Sequence, residues 1–298
     1  MGKTNSPIKA FYDPARTYDD NFDKGPFSVF DDEEQYIDKG EPKYTFLGKP
    51  IYSPFGIAAG PLLNSSHIKY VFSRGFDVNV YKTQRSIRFK VNEFPNVLYL
   101  DIDGDLTIKK SKQPLIGRPR PAGSLKKISI TNSFGNPSRG PNFWMPDMKK
   151  ALRAQRKGQL LIASVVGTVK DGFSDNDYFD DFAKAANLAA SSGVEAIEVN
   201  LSCPNVATEG VLCYTPSSVL AITKEVKEKI GKLPLVVKFG YFSRGQGKLL
   251  IKTLKDIAPY ISAVSAINTI PAPVVDENGD QALPGPNRLI SGVCGYGI

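Results

Sequence analysis

The sequence predicts an α/β fold of the (β/α)8 TIM type, with about six βα units in this chain. Two observations support this fold class. From residue 50 onward, short β-branched or apolar runs alternate with helix-like stretches, which is typical of βα units and a parallel sheet. Nearly every run also ends in a polar or glycine-rich group, namely AAGPLLN, YKTQRS, NLSCPN, VKFG and INTI. A barrel builds its site from the ends of all its strands, whereas an open sheet concentrates its ligand at one switch point.

The alternation predicts six strands and five helices. The strands are expected at residues 54–59, 78–82, 160–166, 196–201, 235–239 and 263–268. The helices are expected at residues 66–74, 144–156, 177–191, 216–230 and 247–258. Residues 84–135 are predicted to form a hairpin-bearing insertion after the second strand, and residues 271–292 a long loop after the sixth.

The chain is predicted to divide into two regions. Residues 1–47 are rich in Asp, Tyr, Phe and Pro without a clear period and are expected to form an N-terminal arm of uncertain structure. Residues 48–298 are expected to form the barrel domain. Because a barrel needs eight strands and the pattern provides six, we expect this domain to be truncated at its C-terminal end.

Composition argues against several classes of function. The net charge of +8 comes from scattered basic residues, and the clusters at 118–127 and 224–232 lack the interleaved aromatic residues of a nucleic-acid groove. No apolar run is long enough to cross a bilayer about 30 Å thick, and no secretory signal is present, so no membrane association is expected. Three cysteines indicate a reducing, cytoplasmic location, while a single histidine, His67, argues against a Ser-His-Asp triad or a histidine-rich metal site.

Residues 198–205, EVNLSCPN, form the segment with the most specific chemistry. A predicted strand ends at Asn200, and Cys203 follows on a loop that Pro204 stiffens. A cysteine at the mouth of a site can act as a general base when its pKa suits the operating pH. Taken alone, a single cysteine is more often a small buried apolar residue.

NLSCPN resembles the active-site loop of the class 1 dihydroorotate dehydrogenases, in which this cysteine is the base. Further segments resemble the same family in the same order, from about residue 48 to the end of the chain. They are SPFGIAAGPLLN (53–64), VYKTQRS (80–86), TNSFGNP (131–137), VVKFG (236–240), AINT (266–269) and SGVCG (291–295).

The resemblance implies a site that holds FMN and a pyrimidine substrate. Cys203 would be the catalytic base, and no metal is implied. The implied cofactor-binding residues are Ala59, Gly60, Lys82, Thr83, Asn132, Asn200, Lys238, Asn268, Gly292 and Gly295. The implied substrate-binding residues are Lys82, Asn132, Ser133, Phe134, Gly135, Asn200, Asn205, Asn268 and Thr269. These roles agree with elementary chemistry, because a lysine stabilises the charge of a reduced flavin and an asparagine offers a donor and an acceptor to a pyrimidine ring.

The implied reaction is the oxidation of dihydroorotate to orotate in pyrimidine biosynthesis. Cys203 would take a proton from C5 while the hydride on C6 passes to N5 of FMN. A second substrate, whether fumarate, NAD or a quinone, would then reoxidise the flavin. A cysteine base implies the soluble class, whose members are often dimers, so a homodimer is a further expectation.

Two alternatives stay open on the sequence. A dihydropyrimidine dehydrogenase-type flavoprotein uses a similar NLSC loop on uracil-like rings, although that subfamily has CPH where this chain has Cys203-Pro204-Asn205. An inactive, truncated barrel that binds a partner belongs to another class. Such a remnant would have no need to keep Cys203, Lys82 and Lys238 together.

Overall fold

A computed structural model describes residues 11–27, 35–121, 123, 125–170, 172–201 and 212–298. Its strands are β1 Tyr44–Phe46, β2 Lys49–Ile51, β3 Gly56–Ile57, β4 Val78–Gln84, β5 Arg88–Phe89, β6 Tyr99–Leu100, β7 Leu115–Arg118, β8 Ser129–Asn132, β9 Ser138–Arg139, β10 Leu160–Val165, β11 Ala196–Asn200, β12 Leu235–Lys238, β13 Ala263–Ser265, β14 Ile270–Val275 and β15 Ile290–Gly295. The α-helices of these residues are α1 Tyr18–Lys24, α2 Ser65–Ser73, α3 Ile108–Ser111, α4 Pro141–Ala154, α5 Asp175–Ala190, α6 Pro216–Ile230 and α7 Gly247–Ile257. Two short 3₁₀ turns lie at Leu125–Lys127 and Arg244–Gln246.

The main sheet confirms the predicted fold class. Within the described residues it has six strands in the order β13-β12-β11-β10-β4-β3, and every neighbouring pair is parallel. These are the six predicted strands. Together with their helices they form about half of a TIM-type barrel.

The strands of this sheet are buried on both faces, which is why they read as continuous apolar runs. All residues of β10 and β11 are buried. Helices α2, α4, α5 and α6 pack on the sheet and contribute to one large core, to which Phe72, Trp144, Phe182 and Val226 belong. The predicted helices are confirmed, with ends displaced by no more than three residues.

Local signals at the helix starts explain where the helices begin. Asn64 caps α2, because its side chain accepts hydrogen bonds from the N–H groups of Ser66 and His67. Ser174 and Asp177 form a reciprocal capping box at the start of α5. Pro216 opens α6, where its missing N–H costs no helical hydrogen bond.

A second, smaller sheet corrects the prediction for residues 271–292. That segment was expected to be a loop, but β14 and β15 bound it and pair antiparallel with each other. They join β6, β7 and β8 of the 84–135 insertion in a closed five-stranded barrel, in the order β14-β15-β8-β6-β7. The predicted hairpin of the insertion is confirmed by the antiparallel pair β6 and β7. The prediction for β14 failed because its sequence, IPAPVV, carries two prolines, which argue against a strand.

The N-terminal arm has regular structure at two places. Helix α1 lies within residues 11–27, and Thr17 caps it by accepting from the N–H of Asp20. Strands β1 and β2 form a hairpin that crosses the boundary expected between arm and barrel, and Ile51 packs on Val80 and Leu160 of the sheet. Across the part of the chain that is described, no helix combines the length and apolar character needed to cross a membrane.

Candidate functional site

A cavity of about 320 Å³ lies at the carboxyl ends of the main strands. Parallel strands in a barrel end on one face, and the segments that follow them form the site there. The cavity contains most of the predicted site residues, namely Ala59, Gly60, Lys82, Thr83, Asn132, Phe134, Asn200, Lys238, Asn268 and Thr269. The sequence motifs therefore converge in space although they are spread over more than two hundred residues.

Four predicted residues do not line the cavity. Ser133 is buried, and its hydroxyl accepts a hydrogen bond from Nε of Arg288 at 3.1 Å. Gly135 lies against the side chain of Asn92. Gly292 and Gly295 lie in β15, opposite Asn132 and Ser129 of β8. The expected glycine turn of SGVCG is thus a strand that supports β8 from behind, because its amides pair with β8.

Two further predicted residues, Cys203 and Asn205, lie outside the described residues. The described strand β11 ends at Asn200, which lines the cavity three residues before Cys203. Of the cysteines in the described part of the chain, Cys213 is buried in the main core and Cys294 lines the cavity. Burial raises the pKa of the Cys294 thiol to about 11, so this thiol is protonated at neutral pH.

The cavity is rich in cationic and amide groups. Lys238 is the last residue of β12 and Lys82 lies two residues before the end of β4, and each is 5% exposed. The described lining residues include no Asp and no Glu. Asn268 donates from Nδ2 to Oδ1 of Asn200 at 3.3 Å, which links two of the predicted ligands. Such a lining favours an anionic or carbonyl-rich ligand, because acceptor groups meet donors and no carboxylate repels them.

Two polar atoms of the lining lack a hydrogen-bond partner among the described residues. They are Oγ1 of Thr269 and Nδ2 of Asn136, and both are buried. An unsatisfied buried polar group costs about 1–3 kcal/mol, so a native protein pairs it with water or a ligand. These atoms therefore mark positions where a bound molecule gains hydrogen bonds.

The carbonyl groups of Gly135 and Asn136, in the loop of residues 133–136, accept hydrogen bonds from a buried arginine. Arg85 donates from Nε to the carbonyl of Asn136 at 3.0 Å and from Nη2 to that of Gly135 at 3.4 Å. The same guanidinium reaches the carbonyl of Gly167, and it lies over the ring of Phe89 at 4.0 Å from the centroid. Arg85 is 1% exposed, so it connects this loop to the end of β10 inside the protein.

A second buried arginine holds the start of the same loop. Arg288 donates from Nη2 to the carbonyl of Ser133 at 3.1 Å and to that of Pro95 at 3.0 Å. Its Nη1 donates to the carbonyls of Glu93 and Pro284. Burial lowers the pKa of Arg288, but an arginine pKa remains far above neutrality, so the group stays charged.

With these carbonyls occupied, the N–H groups of the loop remain available. The amides of Phe134, Gly135 and Asn136 have no hydrogen-bond acceptor among the described residues. Gly135 and Asn136 have φ of 77° and 50°, a left-handed conformation that interrupts any strand pairing. Successive free amides of this kind bind anions.

Sequence reasoning missed several residues of the site. Tyr12, Pro14 and Tyr18 of the N-terminal arm line the cavity, and Arg85 and Arg288 shape its loop. No local signal identifies the arm residues, because their neighbours in space are far away in sequence. Arg85 lies within the quoted YKTQRS segment. An arginine that directly follows a predicted buried strand was a usable signal there. Across the described ranges, no cluster of three or more His, Cys, Asp or Glu side chains could hold a metal ion.

Comparison with known proteins identifies the family. The family model described as dihydroorotate dehydrogenase matches residues 90–276. A dihydroorotate dehydrogenase of Dictyostelium discoideum is 35% identical over 302 residues, which cover 99% of this chain and 80% of that protein. The chain belongs to the dihydroorotate dehydrogenase family.

Two other members of this family are similar over shorter stretches. The catalytic subunit of dihydroorotate dehydrogenase B (NAD(+)) of Desulforudis audaxviator is 28% identical over 67% of this chain and 61% of its own length. Dihydroorotate dehydrogenase A (fumarate) of Lactobacillus helveticus is 29% identical over 55% of this chain and 52% of its own length. This chain thus spans between about half and four fifths of the length of these three relatives.

The family match includes Asn132, Asn200, Lys238 and Thr269, which all line the cavity. Lys82 lies before residue 90, as does the arm, and the Dictyostelium alignment includes both. The family model therefore includes several of the lysine and asparagine residues that line the cavity. The alignment with the Dictyostelium protein covers 99% of this chain and so extends over nearly all of the arm.

Proposed function

We propose that the chain oxidises dihydroorotate to orotate with FMN as its cofactor. The observation that carries this proposal is the combination of the unoccupied amides of Phe134 and Asn136 with a cavity lining that has lysines and no carboxylate. Dihydroorotate carries one carboxylate on a ring of amide and carbonyl groups, and this combination matches the available donors.

The residues of the cavity floor fit a flavin. Ala59 and Gly60 have little or no side chain, and a Cβ built on Gly60 meets no atom within 4 Å, so a flat ring has room there. The unpaired Oγ1 of Thr269 and the amide pair Asn200 and Asn268 offer hydrogen bonds to its polar edge. FMN, when bound, accepts the hydride that leaves C6 of dihydroorotate.

We assign the lysines to charge stabilisation. Both lysines are 5% exposed, and a negatively charged ligand would be attracted to ammonium groups held among the cavity residues. Lys238 would face the flavin edge that becomes negative on reduction, and Lys82 would lie near the pyrimidine side of the flavin ring. Asn132 would orient that ring by donating and accepting in one plane.

Cys203 is proposed as the base that removes the proton from C5. This assignment rests on the NLSCPN motif. The described cysteines are poor alternatives, because burial raises the pKa of both Cys213 and Cys294 and so disfavours their thiolates. A loop cysteine whose pKa is near the operating pH would take up the proton from C5, while the two electrons leave C6 with the hydride.

The dihydropyrimidine alternative is disfavoured by the same loop. Uracil-type rings have no carboxylate, so the amides of Phe134 and Asn136 would lose their anionic partner. Each charge-assisted hydrogen bond contributes about 1.5–3 kcal/mol, and two of them correspond to at least about a hundredfold in affinity. The inactive-barrel alternative is also disfavoured. A barrel that binds no anionic ligand would not need two buried lysines in a cavity lining that has no carboxylate.

Competition between orotate and uracil for the FMN-loaded chain tests this choice. We expect orotate to bind at least about a hundredfold tighter, because only orotate offers a carboxylate to the loop. Equal affinities, or tighter binding of uracil, would contradict dihydroorotate as the substrate and favour the dihydropyrimidine reaction.

The electron acceptor, the assembly and the location are proposals as well. The Desulforudis and Lactobacillus relatives carry NAD(+) and fumarate in their names, and either compound could reoxidise the flavin here. Three cysteines in 298 residues favour a reducing compartment, and we propose a cytoplasmic enzyme that forms a homodimer. Reoxidation rates with fumarate, NAD and a soluble quinone separate the three acceptors.

A further inference from the structure

The N-terminal arm contributes a wall of the cavity that the family match leaves unexplained. Tyr12, Pro14 and Tyr18 line the cavity from this arm, next to Leu63 and Phe134 of the barrel. This side is apolar and aromatic, whereas lysines and asparagines line the cavity floor. A cavity with one aromatic and one polar side suits a planar ring whose edge carries polar groups.

Contacts between aromatic rings attach the arm to the loop that we assign to the substrate. The rings of Tyr12 and Phe134 are 5.7 Å apart at their centroids and nearly perpendicular, and those of Tyr18 and Phe134 are 5.8 Å apart. Tyr18 is 5% exposed and belongs to one apolar cluster with Phe22 and Leu63. The arm therefore packs on the side chain of Phe134, a residue that lines the cavity.

The arm has its own internal order, so these tyrosines have fixed positions. The buried side chain of Asn21 accepts from the N–H of Asp13 at 2.7 Å and donates to the carbonyl of Asp13 at 2.9 Å. It also donates to the carbonyl of Thr17, one turn before it in α1. These bonds hold residues 13–21 in one compact turn, with Tyr12 directly before it and Tyr18 within it.

One arginine outside the cavity fastens α1 to the barrel. Arg139 forms ion pairs with Asp23 at 2.6 Å and with Asp19 at 3.1 Å, and its guanidinium lies 3.8 Å from the ring centroid of Phe22. Asn64 adds a hydrogen bond from Nδ2 to the carbonyl of Phe22 at 2.6 Å. Because Arg139 does not line the cavity, its loss would release the arm without removing any cavity group.

We propose that the N-terminal arm is part of the substrate site, with Tyr12 and Tyr18 in contact with the bound pyrimidine ring. This inference rests on the proposed function, since it takes dihydroorotate and orotate as the ligands. The arm excludes water from one face of the ring, and its aromatic side chains set the affinity for the ring. They bear no proton and no electron in the reaction, so they affect binding more than turnover.

The test measures orotate binding rather than activity. The full chain is loaded with FMN, and the shift of the visible flavin spectrum is followed during a titration with orotate. Tyr12→Ala is compared with wild type and with Tyr36→Ala, a matched control that removes an arm tyrosine outside the cavity lining. We expect the Kd for orotate to rise about tenfold in Tyr12→Ala and to stay unchanged in Tyr36→Ala.

Arg139→Gln provides a second variant in case Tyr12→Ala folds poorly. We expect Arg139→Gln to raise the Kd for orotate and to speed backbone hydrogen exchange of residues 11–24. We also expect orotate to slow that exchange in wild type. If wild type and both variants bind orotate equally and exchange does not respond to it, the arm proposal is wrong while the proposed function stands. If wild type fails to bind orotate at all, the proposed function fails, and the arm proposal fails with it.

Discussion

Arg85 and Arg288 place two positive charges inside the protein and direct them at backbone carbonyls. Both residues are at most 6% exposed, and both donate hydrogen bonds to backbone carbonyls of the 133–136 loop. A buried charge is unfavourable unless hydrogen bonds satisfy it. Here the bonds fix the carbonyls of Ser133, Gly135 and Asn136, and they leave the N–H groups of the loop available.

Replacing Arg288 by Lys separates the effect of its positive charge from the effect of its hydrogen bonds to the loop. Lysine keeps the charge but loses the planar fork that reaches four carbonyls. We expect a loss of about 2 kcal/mol in unfolding free energy and a rise of about tenfold in the Kd for orotate, with FMN retained. Arg118→Lys, at a surface pair with Glu277, is the control. An unchanged Kd for orotate would show that Arg288 is structural only.

The assignment of Cys203 is tested by replacing it with Ala. Without the base, reduction of bound flavin by dihydroorotate should slow at least about a hundredfold, while orotate still binds. Cys213→Ala, in the main core, removes a thiol whose pKa burial raises and should leave the reduction rate close to wild type. Normal reduction in Cys203→Ala would exclude this residue as the base.

The single histidine makes the stability depend on pH. His67 is fully buried beneath Phe11 of the arm, and burial lowers its pKa from 6.5 to about 4. Because the unfolded chain binds the proton more readily, stability is complete above pH 6.5 and falls as the pH drops toward 4. Between pH 7 and 5 this loss amounts to about 2 kcal/mol.

Chemical denaturation of wild type and His67→Gln at several pH values checks this dependence. The variant lacks the titrating group, so the stability difference between the two proteins should shrink by about 2 kcal/mol from pH 7 to pH 5. A constant difference would mean that His67 titrates alike in the folded and unfolded states.

At the scale of elements, β15 shows why some glycines of a motif serve the fold. Gly295 has φ of 112°, and a Cβ there would lie 2.4 Å from the carbonyl oxygen of Ile128. Gly292 pairs with Asn132, so β15 holds β8 and its cavity residue in place. The resemblance assigned both glycines to the cofactor, whereas in the structure they belong to the strand behind the cavity wall.

Gly295→Ala should therefore destabilise the small barrel more than a comparable change elsewhere. Gly279 is the matched control, because its φ of 89° is also left-handed but a Cβ there meets no atom within 4 Å. Gly279→Ala carries backbone strain alone, about 1 kcal/mol, while Gly295→Ala adds the clash with Ile128. We expect a loss of at least about 2 kcal/mol for Gly295→Ala in denaturant unfolding. Equal losses of unfolding free energy for the two variants would show that the close approach to Ile128 is not the reason for glycine at position 295.

The elements that sequence reasoning predicted are those with a strong local pattern. Strands β10 and β11 are continuous apolar runs, and α5 begins with a capping box, so their own residues define them. Strand β14 was missed because its neighbours β7 and β15 lie far from it in sequence, and pairing with them overrides its two prolines. The arm was missed for the same reason, since Tyr12 and Tyr18 are held by Phe134.

At the scale of the whole molecule, the candidate site joins three parts of the fold. The half-barrel supplies Lys82, Asn200 and Lys238, the small barrel supplies Asn132, and the arm supplies Tyr12. Family motifs predicted the first two contributions, because those residues follow recognisable strands. The arm wall and Arg288 could not be predicted, since both depend on long-range packing that no short motif records, whereas Arg85 lies within the YKTQRS motif.

The most direct measurement is the visible spectrum of the purified 298-residue chain with FMN, before and after anaerobic addition of dihydroorotate. We expect FMN to bind, with the shifted absorption of a buried flavin, and dihydroorotate to bleach it with formation of one orotate per flavin. Bound flavin that dihydroorotate leaves oxidised, while dihydrouracil or another ring compound bleaches it, would contradict the proposed substrate. A chain that binds no FMN would contradict the proposed cofactor site itself.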